Sequence, residues 1–237
     1  TRLQSEKWSP CHLVTLSPAC AERIILMKKL PPLDLLAQNR IGLVKTARIY
    51  SNVVSPPVMF AVVGLAFGLV ALPGWAGFLW AAVYGLLVSL APILVVLFLL
   101  RSGRIAELHM SNTRERNIPY LSAILFAAIA YGLIAGFGGP ELLRCLALFN
   151  VIELTALTVI NHFWLISLHA TGAMATAVLV GLVFGWTVAL IVGIPLVGTV
   201  CWVRLFLKRH SPAQVVAGLA LGAAVVLVLV PFDCFVA

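Results

Sequence analysis

The chain has 237 residues, of which 62% are hydrophobic and 10% are charged, and its formal net charge is +8. A soluble domain would carry about a quarter charged residues, so the composition excludes an ordinary soluble protein and indicates several membrane-crossing helices. The basic residues cluster before the first apolar run, between Arg2 and Arg48, and in the segments 101–116 and 204–209. This pattern is typical of cytoplasmic segments, and we therefore expect membrane lipids rather than nucleic acid as partners.

Two segments precede the first apolar run. Residues 1–31 are mixed in polarity and interrupted by prolines, and we expect them to form an N-terminal cytoplasmic arm. From Pro32 to Asn52 apolar side chains alternate with basic ones, which predicts an amphipathic helix that lies on the membrane surface or packs against the bundle. The chain is thus predicted to divide into an arm with an interfacial helix, residues 1–52, and a transmembrane domain, residues 53–237.

The transmembrane domain is predicted to be an all-α, polytopic bundle of about seven membrane helices. One helix over 173–207 would be about 50 Å long, whereas the hydrocarbon core is roughly 30 Å thick, so we expect a break near residues 185–190. With the arm in the cytoplasm, seven crossings of the plasma or inner membrane bring the polar segments between helices to the cytoplasmic face. The apolar runs are 57–72, 78–100, 121–137, 142–166, 173–207 and 213–230, and the polar segments are 101–119, 162–172 and 204–212.

The most informative polar segment lies between the last two apolar runs. Arg204 and His210 are six positions apart, and Pro212 opens the next apolar helix. Arginine presents a planar set of donors that suits phosphate oxygens, and histidine can act as a nucleophile or acid–base group near neutral pH. The spacing resembles the third signature of the type 2 phosphatidic acid phosphatase (PAP2) superfamily, SRxxxxxHxxxD, with Val203 at the serine position and Gln214 at the aspartate position.

The polar segment 101–119 resembles the first signature of that superfamily, KxxxxxxRP. Arg116 stands at the arginine position, His109 stands where the lysine would be, and Arg114 offers a second guanidinium to an anion. A basic cytoplasmic loop that meets anionic lipid headgroups is the alternative interpretation.

The segment around Thr171 and Gly172 resembles the second signature, PSGH. A small hydroxyl residue and a glycine that open a helix can present backbone N–H groups to a phosphate. Ala173 occupies the position of the signature histidine, and His169 could replace it in space. A histidine at the membrane interface is the alternative interpretation of His169.

The resemblance implies a phosphatase of lipid or prenyl phosphates that requires no metal and no cofactor. His210 would attack the phosphorus atom and form a phosphohistidine, and His169 would protonate the leaving alcohol. Gln214 stands where the family's aspartate orients the nucleophile, but it has no charge, so we expect weak activity or none. A catalytically silent structural or lipid-binding subunit of a larger membrane complex is the alternative. The implied phosphate ligands are Arg114, Arg116, Thr171, Gly172 and Arg204.

One carboxylate and the cysteines remain outside this scheme. Glu153 lies within an apolar run, where a carboxylate needs a partner or a neutralising proton. We expect Glu153 to form a hydrogen bond between two helices. The alternative is that it belongs to a proton or ion path, as in a transporter. The five cysteines lack metal-ligand spacing, so we expect no metal site.

Overall fold

The structure, a computed structural model, describes residues 32–105 and 113–235, apart from the side chains of Ala37 and of residues 113–115. Throughout these residues the regular structure is helical and no β-strand occurs, which confirms the all-α prediction. The predicted cytoplasmic arm, His109 and the side chain of Arg114 lie outside the described residues.

Eight α-helices follow one another in this described part. Five of them are long and apolar enough to cross a membrane, as expected of an integral membrane protein: Trp75–Arg101, Arg116–Gly136, Glu141–Phe163, Trp186–Phe206 and Pro212–Phe232. The first two, bent by 45° at their junction, would together make a sixth span, and the sixth helix is apolar but only 17 residues long. Seven crossings therefore remain a prediction. The helices are α1 (Gly42–Val53), α2 (Pro56–Ala71), α3 (Trp75–Arg101, with a π-helical segment at Leu86–Leu90), α4 (Thr113–Gly136), α5 (Glu141–Phe163), α6 (Leu168–Phe184), α7 (Trp186–Phe206) and α8 (Pro212–Leu229).

The long apolar stretch 173–207 is broken at Gly185, within the predicted interval. Gly185 has a φ of 93°, a conformation that residues with a Cβ atom rarely adopt. One glycine therefore ends α6 at Phe184 and lets α7 begin at Trp186, and the two helices pack against each other as a hairpin.

The amphipathic helix α1 begins later than predicted, at Gly42 rather than near Pro32. The preceding residues form a turn and a short 3₁₀ segment, Ala37–Asn39. The guanidinium of Arg40 donates hydrogen bonds to the backbone carbonyl groups of Asp34 and Leu35, at 2.9 and 3.1 Å. These contacts stabilise the turn, so an α-helix does not form there.

Helix α1 has one face on the bundle and another that is exposed. Ala47 is buried against Val203 and Leu207, at the end of α7. On the other side Ile41 and Ile49 are 73% and 52% exposed. The packing interpretation is thus confirmed for one face, and the membrane-surface interpretation of the exposed apolar face stays a prediction. The compact unit that contains the bundle begins at Leu33, so α1 belongs to it.

The bundle has two chemically different ends. At one end, called here the polar end, the starts of α4, α6 and α8 meet the ends of α1, α5 and α7. Hydrogen bonds there join Ser167 N–H to the Gln214 carbonyl at 3.2 Å, Asn161 to Tyr120 at 3.3 Å and Arg204 to Ser51 at 3.0 Å. At the opposite end a disulfide joins Cys145, near the start of α5, to Cys234, after α8. The cysteine spacing did not indicate this pairing, because 89 positions separate the two residues.

Helices α6 and α8 approach closely because α8 presents glycine to its neighbour. A Cβ atom at Gly218 would lie 2.7 Å from the backbone oxygen of Ser167, and one at Gly222 would overlap the backbone oxygen of Thr171. Small residues permit such contacts between membrane helices. This packing brings the start of α6 close to the segment that carries His210.

Candidate functional site

A cavity of about 300 Å³ extends from the polar end into the bundle. Most of its wall is apolar, and the apolar part of the wall is formed mainly by residues of α2, α3, α4 and α5. Four side chains predicted to form a phosphate site line it, although they lie in three different polar segments of the sequence. These four are Arg116, His169, Arg204 and His210.

Arg204 is the most buried of the four, with 3% of its surface exposed. Its Nη1 donates a hydrogen bond of 3.0 Å to the hydroxyl of Ser51, and its Nε has no hydrogen-bond partner among the described residues. Arg116 and Arg209 lie close enough to repel its charge, and Asp34, which is paired with Arg209, lies close enough to offset part of that repulsion. Within the described part Arg204 makes no ion pair. A buried cation in these surroundings favours an anionic ligand.

His169 is held by the same residue of α1. Its Nε2 lies 3.0 Å from the backbone oxygen of Ser51, and because a carbonyl oxygen only accepts, Nε2 carries a hydrogen atom in this contact. The contact sets the orientation of the imidazole ring, as second hydrogen bonds commonly do for functional histidines. Ser51 therefore positions both Arg204 and His169.

Arg116 is anchored through a tyrosine between α4 and α5. Its Nη1 donates to the Tyr120 hydroxyl at 3.4 Å, which also accepts from Asn161 Nδ2 at 3.3 Å. The Asn161 side-chain oxygen in turn accepts from the backbone N–H of Ile166 at 2.7 Å. This chain of hydrogen bonds ties the start of α4 to the link between α5 and α6.

The segment around His210 is held by a buried carboxylate. Asp34 is fully buried and accepts from Arg209 Nε at 2.8 Å and from Arg48 Nη1 at 3.0 Å. The backbone N–H of Leu33 also donates to the carbonyl of Leu207, at 3.1 Å. These contacts fasten the residues before α1 to the loop between α7 and α8, and they position the neighbouring His210, which is 6% exposed.

Thr171 and Gly172 do not occupy the place that the PSGH resemblance implies. Helix α6 begins earlier, at Leu168, and the backbone N–H and hydroxyl of Thr171 both donate to the Ser167 carbonyl, each at 3.0 Å. Gly172 faces Met59 and Pro56. Neither residue lines the cavity. The start of α6 at the cavity is instead formed by Leu168 and His169.

Gln214, the residue predicted to orient His210, has a structural task at the start of α8, and its orienting role stays a prediction. Its side-chain oxygen accepts from the backbone N–H of Ser211 at 2.9 Å, and its own backbone N–H donates to the Ser211 hydroxyl at 3.3 Å. This reciprocal pair is a capping box, and it starts α8.

We predict that Gln214→Ala lowers the stability of the protein by about 1 kcal/mol, because it removes one half of the capping box. For a protein of this size that corresponds to a fall of roughly 2–4 °C in Tm. Gln214→Glu is the matched control, since glutamate also completes such a box, and it should stay near the wild-type Tm. Thermal unfolding in detergent measures both variants. An unchanged Tm in Gln214→Ala would show that the cap contributes little.

Several residues of the site were missed by the sequence analysis. Ser51 and Asp34 lie far from the motifs in the sequence, whereas Tyr120 and Asn161 each border a polar segment, and no local pattern marks any of the four as part of a site. The weak signal available was Asp34 itself, because it stands alone among the basic residues of segment 32–52.

The arrangement can bind an anion and transfer protons to it. Two buried guanidinium groups supply donors for phosphate oxygens, and two imidazole rings from different segments line the same cavity. The apolar wall beside them suits a hydrocarbon chain.

No protein-family model, curated protein or solved structure gives a significant match to this chain. The PAP2 resemblance therefore stays a prediction that rests on the residues alone.

Proposed function

We propose that this integral membrane protein binds the phosphate group of a lipid or prenyl phosphate in its cavity and hydrolyses it slowly through His210. The observation that carries the proposal is the meeting of Arg116, His169, Arg204 and His210 in one largely apolar cavity. A phosphate group would satisfy the Nε of Arg204, and a prenyl or acyl chain would follow the apolar wall.

The proposed reaction has two steps. A ring nitrogen of His210 attacks the phosphorus atom, so that a P–N bond forms while the P–O bond to the lipid alcohol breaks. A proton from His169 neutralises the leaving alkoxide, and the guanidinium groups of Arg116 and Arg204 stabilise the charge on the phosphate oxygens. Water then attacks the phosphohistidine and gives a proton to His169, which releases inorganic phosphate and restores both histidines.

We propose that the polar end faces the cytoplasm. Lys and Arg are concentrated in the segments near that end, as the positive-inside tendency requires. The Cys145–Cys234 disulfide lies at the opposite end, and disulfides persist in oxidising compartments outside the cytoplasm. Both observations support the same orientation, in which the substrate phosphate is reached from the cytoplasmic leaflet.

A lipid-binding subunit without catalytic activity is the second candidate function. It is favoured by Gln214, whose side-chain oxygen is used in the α8 cap and which carries no charge. A subunit of this kind would use the same cavity to hold a phosphorylated lipid and would need protein partners at its lateral surface. The predicted N-terminal arm is a candidate for such contacts, although it lies outside the described residues.

We predict that Arg204→Gln weakens the binding of a short-chain prenyl monophosphate by about 10- to 100-fold, because a charge-assisted hydrogen bond is worth about 1.5–3 kcal/mol. The wild-type protein should bind the monophosphate more tightly than the corresponding alcohol, and in Arg204→Gln this preference should fall by the same factor, because the affinity for the alcohol should not change. Titration calorimetry of the purified protein in neutral detergent measures these affinities.

Arg101→Gln is the matched control, since Arg101 is exposed at the end of α3 and does not line the cavity. This variant should bind both ligands as the wild type does. Equal affinity of the wild-type protein for the monophosphate and the alcohol would contradict phosphate binding in the cavity, and with it both candidate functions.

A further inference from the structure

The cavity contains a carboxylate that the proposed phosphate chemistry does not use. Glu153, in the middle of α5, lines the cavity and is fully buried. Neither of its carboxylate oxygens has a hydrogen-bond partner among the described residues, so the expected helix–helix hydrogen bond is not formed there. A carboxylate buried in this way is strongly unfavourable unless it is neutralised.

Asn150 lies one helical turn before Glu153 and lines the same cavity. Its Nδ2 donates to the backbone oxygen of Leu146 at 2.7 Å and to the Tyr84 hydroxyl at 2.9 Å. Because a backbone oxygen only accepts, the first contact identifies the amide nitrogen, and the group that Asn150 can still offer is its side-chain oxygen. Together Glu153 and Asn150 offer three acceptor oxygens and no donor to a ligand, if Glu153 is ionised.

We propose that Glu153 and Asn150 form a binding subsite for the protonated amine of an amphiphilic ligand, called here the amine subsite. An ammonium group carries three N–H donors and one positive charge, so it can bond to these acceptor oxygens and neutralise the carboxylate at once. A hydroxyl group can donate only one hydrogen bond, and it does not neutralise the negative charge of the Glu153 carboxylate. The neighbouring wall residues Phe60, Val88 and Leu154 are apolar and suit the alkyl part of such a ligand.

The amine subsite lies deeper in the bundle than the arginines. The rise along α5 from Glu153 to Asn161 is about 12 Å, and Asn161 shares the Tyr120 hydroxyl with Arg116. The amine subsite itself does not depend on phosphate binding. Only the identity of the substrate rests on the proposed function: where the cavity also binds phosphate, the substrate is a phosphorylated amphiphile that carries an amine.

Decylamine and decanol are matched probes for the amine subsite, because they share one alkyl chain and differ in charge. We expect decylammonium to raise the Tm of the purified full-length protein in neutral detergent more than decanol does. Glu153→Gln keeps the size of the side chain and removes its charge, and it should lower the affinity for decylammonium at least about tenfold. Glu141→Gln is the control, since Glu141 is exposed near the start of the same helix.

Equal effects of the two probes on the wild-type protein would overturn the amine subsite, because they would mean that a proton already neutralises Glu153. Unchanged decylammonium binding in Glu153→Gln would overturn it as well. Should Glu153→Gln fail to fold, decyltrimethylammonium provides the test on the wild type. It has no N–H group, so it should bind more weakly than decylammonium, and equal binding would contradict the proposal.

Arg204→Gln separates this inference from the proposed function. This variant should retain decylammonium binding while its preference for a prenyl monophosphate over the alcohol falls about 10- to 100-fold. A wild-type protein that shows no phosphate preference but binds decylammonium through Glu153 would refute the proposed function alone. A wild-type protein that prefers the phosphate to the alcohol but binds decylammonium no better than decanol would refute the amine subsite alone.

Discussion

Replacing Asp34 by alanine should destabilise the protein by about 3–5 kcal/mol, because it leaves the buried guanidinium of Arg209 without its carboxylate. Asp34 is fully buried, and Arg209 and Arg48 both bond to it. For a protein of this size the loss corresponds to a fall of roughly 6–20 °C in Tm. Thermal unfolding in detergent measures it.

Glu141→Ala is the control for Asp34→Ala. Glu141 also forms an ion pair, with Arg144, but both side chains are about half exposed, and a pair of this kind contributes about 0–1 kcal/mol. The Tm of Glu141→Ala should therefore stay close to that of the wild type. Similar shifts in Asp34→Ala and Glu141→Ala would show that the buried ion pairs do not hold the segment before α1 on the bundle.

Replacing His210 by alanine should reduce phosphate release from a lipid or prenyl phosphate by about 10³-fold or more, because the reaction loses its nucleophile. The wild-type rate itself should be low, since Gln214 supplies no charge to support the imidazolium form of His210. Colorimetric detection of inorganic phosphate, with short-chain prenyl and phosphatidic substrates, measures the rate.

His162→Ala is the control for His210→Ala. His162 is an exposed histidine near the end of α5, at the same end of the bundle, and it does not line the cavity. The control should retain the wild-type rate, and the Tm of each variant reports whether it folds. Phosphate release that survives His210→Ala would contradict the proposed mechanism. Tight binding of the substrate by a wild-type protein that releases no phosphate would instead support the lipid-binding subunit.

Much of the helical organisation could be predicted because apolar runs and helix-breaking residues are local signals. Gly185 breaks the long stretch within the expected interval, and Pro212 opens α8 as predicted. The spacing of Arg204 and His210 is local in the same sense, since Arg204 is in the last turn of α7 and His210 is in the short loop that follows. Such signals need no knowledge of which helices are neighbours.

The remaining parts of the site could not be predicted, because they depend on contacts between distant segments. Ser51 contacts Arg204 and His169 only because α1 lies across the start of α6 and the end of α7. Thr171 was misjudged for a related reason. A hydroxyl residue followed by glycine can open a helix or lie within one, and the position of Ser167, which caps α6, decides between these possibilities.

The most direct test of the central proposal is a structure of the protein determined with orthovanadate bound, because vanadate adopts the five-coordinate geometry of a phosphate under attack. The proposal predicts that the vanadium atom is bonded to a ring nitrogen of His210, with its oxygens within hydrogen-bond distance of Arg116 and Arg204. Vanadate bound away from His210, or a cavity that stays empty at saturating vanadate, would contradict it.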